Sequence, residues 1–552
     1  MYFRLIAIPL FLFLISGCGN RKIVSDNVSL SLPAAVPPPT TEEVESVDYG
    51  DTIVFHMDAD AVVLNPLICD DLYSRLVCLW IFNGLVNLDE RLELKPSLAE
   101  TFEVSSDGKQ ASFHLRKDVK WHDGEEFTTD DVVFTYQKIM DPDTRSRLRF
   151  SFSMVDTIEV QGKFDLKVKY KLPNPDAISL WTNAIVARHV YDNRSLDPNL
   201  QPVGTGPFRF VEWLPHDHIL LEANMQHFRG RPFVDRFLFK YVADFTMAFQ
   251  MVKQGEIDIM ELTADQYLNQ AEEPDFLNKY TIHQYNTYFN SLCYNCRNPL
   301  FKSPRVRRAL TMAIDRQAIV NDIFHGYAYV PARPVSPPYV KYEKKLDPWP
   351  YSPDTARRLL ESEGWRDTDN DGILEQEGRK FSFEVSVVHG TKNRYLALDI
   401  AAANLKKIGV IADCKYYELG QFMRLLYTGS FAAIDTGLLL QDDPYQYFHS
   451  SQIFDLQTGN TGLNLVGYRN PEVDSLLDLM RSELNPAERM RLIQRFHELV
   501  SDDQPATFMY SDTTLLAVSK RIRGIKPGPD WIFHNMENWY VPRQLQKYVE
   551  GN

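Results

Sequence analysis

Past its first eighteen residues the chain has no stretch long and apolar enough to span a bilayer, which excludes a helical membrane span in its body. It also lacks an excess of positive charge: 59 Lys and Arg stand against 74 Asp and Glu, a formal net charge of -15. A phosphate backbone is gripped by a basic stripe, and none stands out, so nucleic acid is not an expected partner. Sequence signatures of catalysis are missing too: there is no G-x-S-x-G, no H-E-x-x-H and no Walker loop. No Asp and Glu pair stands out as acid and base, so an enzyme is not expected. Cysteine is scarce, six in 552 residues, and no second CxxC or paired histidines exist to complete a zinc site. Neither a cofactor nor a metal is expected.

What is present begins at the N-terminus. Arg4 precedes an apolar run from Leu5 to Ile15, then Ser16, Gly17 and Cys18. A run that short suits a signal-peptide core rather than a membrane span. Ile15-Ser16-Gly17-Cys18 resembles the lipobox of bacterial lipoproteins, in which cleavage before the cysteine leaves it to carry acyl chains. Residues 1–18 are therefore read as a lipoprotein signal with Cys18 as the lipidation site. Two or three chains make a stable anchor, because each buried methylene contributes about 0.8 kcal/mol. Residues 19–48 carry Pro33, Pro37, Pro38 and Pro39 among Ser, Thr, Val and Glu, the composition of an extended tether. Lipidation of Cys18 leaves five cysteines, so a monomer keeps at least one free thiol.

Strand-like and helix-like segments then alternate, which predicts an α/β or mixed class, and a chain of 552 residues needs two or three lobes. Gln110 to Leu115 alternates as a strand. Thr128 opens a helix, with Asp131 three residues on and Val132, Val133, Tyr136, Ile139 and Met140 along one face. Four more helix starts pair a capping side chain with proline: Ser303-Pro304, Ser352-Pro353, Asn470-Pro471 and Asn485-Pro486. The first predicts one helix through Val306, Leu310, Ile314, Ile319 and Ile323 to a stop at Gly326.

Three blocks resemble extracellular solute-binding protein family 5, the peptide and nickel binders of ABC importers. They are Leu94-Lys95-Pro96-Ser97-Leu98-Ala99-Glu100 with its continuation to "HDGEEFTTDDVVFTYQKI"; Pro202-Val203-Gly204-Thr205-Gly206-Pro207-Phe208 running on to Gly255-Glu256-Ile257-Asp258; and Arg305-Val306-Arg307-Arg308-Ala309-Leu310 followed by Gly364-Trp365, "GYRNPEVD" and "KRIRGIKPGP". They stand in family order over residues 50–545. The resemblance implies a periplasmic-binding-protein-like fold of two lobes and a hinge. Lobe I is expected from 49–92, 203–290 and 515–552, an extra small domain from 93–202, and lobe II from 291–514. It implies capture of oligopeptides or dipeptides and delivery to permease and ATPase subunits, by a monomer held at a bacterial membrane and facing the periplasm or exterior. A nickel chelate, haem, glycoside or opine in the same fold, or a sensor or chaperone lipoprotein without transport, are the alternatives; His389 or His449 would serve a chelate.

The family's dipeptide binders take the ligand ammonium on an aspartate after a tryptophan. The matching stretch here is one residue shorter and lacks the tryptophan; aligned on Asp443-Pro444, Gln441 falls near the aspartate's place, with Asp442 and Asp443 next to it as candidates. The alternative is a solvated turn. At the other end, Val388 stands where those binders have an arginine, so Lys392 or Arg394 is the candidate carboxylate partner. Tyr73, Tyr417, Tyr445 and Tyr447 are candidate wall residues, since tyrosine offers area and a hydroxyl, although such tyrosines are more often simply core.

Three motifs read as structure. His122-Asp123-Gly124-Glu125 is expected to be a tight turn. Cys293-x-x-Cys296 falls in a strand, where residues three apart face opposite sides, and is read as structural cysteine. Gly204-Thr205-Gly206 leads into a strand instead of the helix that a phosphate loop needs, so a hinge or backbone role is expected. Asp367, Asp369, Asp371 and Gly372 have the spacing of a calcium loop's first half, but Gly378 stands at its closing position; a solvated hairpin turn is the expectation.

Overall fold

The computed structural model describes residues 48–69, 71–192, 197–286, 289–333, 346–390, 392–438, 444–455, 462–529 and 531–548. Two large mixed sheets organise it. The first has seven strands in the order Tyr280–Tyr285, Thr514–Ser519, Ile259–Leu262, Thr52–Met57, Arg236–Tyr241, His218–Ala223 and Phe208–Leu214. The second has six, in the order Ala328–Tyr329, Ala506–Asp512, Phe289–Tyr294, Ala433–Leu438, Ser382–Val388 and Ile411–Tyr417. The fold is thus mixed α/β and two-lobed.

Side-chain alternation explains why the first sheet is buried on both faces. Ile53, Phe55 and Met57 join one core, while Val54 between them joins another with Phe249, Met260 and Leu515. In the second sheet Leu292 and Tyr294 join one core and Cys293 the other. Residues 93–202 add a four-stranded antiparallel sheet, Ala99–Val104, Gln110–Leu115, Asp165–Tyr170 and Val155–Val160. Its Phe113, Leu166 and Trp181 belong to the same core as Ile53 and Trp80 of the first lobe.

The chain passes between the large sheets at two crossovers. Tyr280–Tyr285 in the first continues into Phe289–Tyr294 in the second, and Ala506–Asp512 in the second returns through Thr513 to Thr514–Ser519 in the first. Next to these strands lies a buried ion cluster. Arg521 donates to Asp258 Oδ1 at 2.6 Å and Oδ2 at 2.5 Å and also to Asp51, and both carboxylates are fully buried. Burial alone would lower the arginine's pKa, but Asp258 and Asp51 hold its proton more tightly and raise it.

The helix starts divide. Thr128 forms the full capping box with Asp131 before the helix Thr129–Met140. Asn470 and Asn485 accept backbone N–H groups at the heads of Pro471–Met480 and Pro486–Asp503. Ser303 and Ser352 make no such bond, and Ser352 turns its hydroxyl to Thr355. There proline's fixed φ and missing N–H start the helix without help. The long helix expected after Ser303 is two, Pro304–Ala313 and Arg316–Phe324, because Asp315 caps a fresh start by accepting from Ala318 N at 2.9 Å.

Gly204 and Gly206 are explained by close approach. A Cβ on Gly204 would lie 1.8 Å from the Ile81 carbonyl oxygen, and one on Gly206 would lie 2.4 Å from that of Trp80. His122 locks the same segment, taking the Gly204 N–H on Nδ1 at 3.2 Å and pairing Nε2 with the Gly206 carbonyl at 3.0 Å. It must therefore be neutral with its proton on Nε2, and burial lowers its pKa to about 4. The turn after it is made by Gly124 at φ 96° and the Trp121–Glu125 backbone pair.

Candidate functional site: the cleft at the crossovers

In open α/β sheets ligands lie outside the carboxyl ends of strands. Parallel pairing of Phe55 with Ile259 sets Met57 level with Glu261, so Asp58, just past the first strand, comes beside it. Asp512 closes Ala506–Asp512 at the return crossover. Tyr73, at the head of the helix Leu72–Ile81, donates its hydroxyl to Asp58 Oδ1 and accepts from Asp58 N at 3.2 Å. Burial, then Asp58, pushes the Tyr73 phenol far up, so it remains a donor.

Glu261 keeps accessible surface yet is otherwise enclosed by protein, as a side chain lining a cleft must be. That enclosure, with Asp512 and then Asp58 close by, raises its carboxyl to about 7. Asp512 keeps exposed surface too, yet protein crowds it enough to raise its carboxyl as well. Three carboxylates thus crowd this side of the cleft.

The second lobe presents a different wall. Arg394, on the helix Lys392–Lys407, donates from Nε to Asp435 Oδ2 and from Nη2 to the Asp435 carbonyl at 3.1 Å. The pair is largely buried, at 19% and 4% exposure. Burial pushes Asp435 up and Arg394 pulls it back. Breaking such a pair strands a charge, so Arg394 is held against Asp435 through Nε and Nη2. Lys392 stands exposed on the first turn of the same helix. Tyr417 donates to Glu384 Oε1 at 2.6 Å, and that bond holds its phenol above the usual range.

The lobes also meet away from the crossovers. Tyr445 stacks on Phe150 of the small domain at 5.8 Å and on His449 at 4.1 Å, with the Arg481 guanidinium 4.5 Å from its ring. Nearby, Arg489 pairs with Asp176 at 2.5 Å. Elsewhere Tyr267 packs on Tyr327 at 5.2 Å, and His325 lies 3.3 Å from Asp265. Tyr445 is thus part of an inter-lobe contact, while Tyr417 and Tyr447 pack against the second lobe's core. Gln441, Asp442, Asp443 and Cys18 lie outside the described residues.

Sequence reasoning passed over Asp58, Glu261, Asp512, Asp435 and Phe150. Glu261 left a trace, a single charge inside the otherwise apolar strand "IMEL". The others are joined across 41 to several hundred positions, and spacing carries no record of that. Cys293 and Cys296 are free thiols, with Cys296 donating weakly to the Tyr294 carbonyl at 3.5 Å. Among the described residues no helix is long and apolar enough to cross a membrane.

Two sheets joined by two crossovers, with a polar cleft between them, define a two-lobed binding protein. The chain belongs to the bacterial extracellular solute-binding proteins, family 5, whose model ("family 5 Middle") matches residues 93–453. It is 31% identical over 547 residues to the oligopeptide-binding protein AppA of Bacillus subtilis, covering 96% of each chain. The AppA structure in complex with a nonapeptide superposes with a TM-score of 0.78 at 30% identity, over 90% of this chain and 100% of that one. NikZ from Campylobacter jejuni in complex with Ni(L-His) gives 0.77 at 26% identity, over 89% and 99%. The glutathione-binding protein GsiB of Salmonella typhimurium is 25% identical over 504 residues, 87% of this chain and 92% of its own length.

Proposed function

We propose that this protein captures oligopeptides between its lobes and delivers them to the permease and ATPase subunits of an ABC importer, without catalysis. The observation that carries the reading is the charge of the cleft. Asp58, Glu261 and Asp512 gather at the crossovers, where a peptide ammonium or a basic side chain would offset their crowded negative charge. Arg394 is paired with Asp435, which leaves a ligand carboxylate to exposed Lys392 or to solvent, and that suits peptides longer than two residues. The likeness to AppA supports the same choice. Asp442 and Asp443 are a second candidate for the ammonium. We place the protein as a monomer held through acylated Cys18, with residues 19–48 as a tether, facing the periplasm or the exterior.

The test is binding of an oligopeptide library to refolded, ligand-free protein. A specific peptide at about 100 times its dissociation constant should stabilise the fold by about 2.7 kcal/mol. Scattering should show compaction as the lobes close. A library that produces neither response rules out peptide capture.

A further inference from the structure

The hairpin after Trp365 lies at the amino end of the strand Ser382–Val388, opposite the end that faces the cleft. One carboxylate oxygen from each of Asp367, Asp369, Asp371 and Glu375 lies within 4.8 Å of the others. That is the spread of oxygens on a sphere of about 2.4 Å radius, the calcium–oxygen distance. Some of these oxygens are used locally. Gly372 N donates to Asp367 Oδ2 at 3.1 Å, Asp371 N to Asp369 Oδ1 at 3.2 Å, and Thr368 N to Glu375 Oε1 at 2.8 Å. Lys380 reaches across the hairpin to Asp371 and to Asp369 at 3.3 Å.

Two oxygens are left over. Glu375 is only 9% exposed, and its Oε2 is buried with no hydrogen-bond partner; Asp367 Oδ1 is in the same condition. A buried, unanswered carboxylate oxygen is destabilising, and a cation held by the four acids would answer those of Asp367 and Glu375. Lys380 supplies one charge, to the two exposed acids alone. We propose that residues 367–375 form a divalent-cation site suited to calcium, in which Glu375, at the ninth position, replaces the closing glutamate that Gly378 does not provide. Oxygen-only ligands on a partly exposed turn, with water completing the shell, favour calcium over magnesium, which demands a tight octahedron. Calcium outside the cell, at about millimolar levels, matches the weak affinity of extracellular sites, about 10⁻⁴–10⁻³ M.

The experiment is calorimetric titration of calcium chloride into chelator-treated, peptide-free protein, with melting followed in parallel. One saturable site and a higher Tm with calcium are expected, with at least tenfold weaker binding of magnesium. Asp369→Asn combined with Asp371→Asn, both on the exposed turn, should melt like wild type in chelator and lose the calcium response. Lys380→Met removes the competing ammonium and should bind calcium several-fold more tightly. No saturable binding up to about 10 mM, well above the affinity range of such sites, overturns the proposal. So does equal binding by the double variant, or a Lys380→Met protein that is destabilised and not rescued by calcium.

Discussion

Asn286 donates from Nδ2 to Thr513 Oγ1 at 2.9 Å and to the Asp512 carbonyl at 3.3 Å, so one side chain ties together the two strands that pass between the lobes. The two chain connections between the lobes are thereby cross-linked. Asn286→Ala should lower stability by about 0.5–1.5 kcal/mol, the usual worth of such bonds, measured by denaturant unfolding. Because the tie sits on the hinge, the same variant should also change the rate of peptide-induced closure in stopped-flow fluorescence. An unchanged rate would assign the bond to stability alone.

Arg521→Met leaves Asp51 and Asp258 buried without their cation. A loss of about 3–5 kcal/mol is expected. A loss below about 1 kcal/mol would mean that Lys547, 3.4 Å from Asp258, takes over the pairing.

Glu261 sets a pH dependence whose sign follows from its raised pKa. Between the ordinary value of 4.5 and about 7 the folded protein holds a proton that the unfolded chain has released. The ligand-free fold therefore loses stability as pH rises through that window, and Glu261→Gln should flatten the slope. Affinity for a peptide with a free ammonium should move the other way, rising as pH passes about 7, with proton release on binding. If Asp442→Asn removes the preference for free over N-acetylated peptide and Glu261→Gln does not, the ammonium is held at Asp442 and not at the crossover.

Gly204→Ala forces a methyl group into the Ile81 carbonyl. A loss of about 1–3 kcal/mol is expected from such overpacking. Gly230→Ala is a useful contrast, since nothing lies within 4 Å of its added Cβ and only its φ of 97° opposes the change.

Cys18→Ser should abolish labelling with palmitate and leave an unprocessed precursor. Equal labelling of variant and wild type would remove the lipid anchor from the proposed function.

Much of the fold was legible in the sequence because its signals are local. Thr128 with Asp131, Asn470-Pro471 and Asn485-Pro486 mark helix starts through bonds that span three residues. The break at Asp315 was missed because Val306 to Ile323 keeps a helical apolar rhythm straight through it; a capping aspartate inside that rhythm was the only sign. The cleft was less legible. Arg394 stood out as a cation in the expected loop, but its commitment to Asp435 depends on two strands meeting. Asp58, Glu261 and Asp512 become neighbours only once three strand ends converge.

The small domain and the first lobe share one core, with Phe113 and Trp181 packed in the cluster that holds Trp80. Opening about the Asn286–Thr513 tie as fulcrum therefore has to break the Phe150–Tyr445 stack and the Asp176–Arg489 pair, which join this shared body to the second lobe. Weak, reversible pairs placed there can decide when the jaws stay shut, and the fulcrum need store no strain.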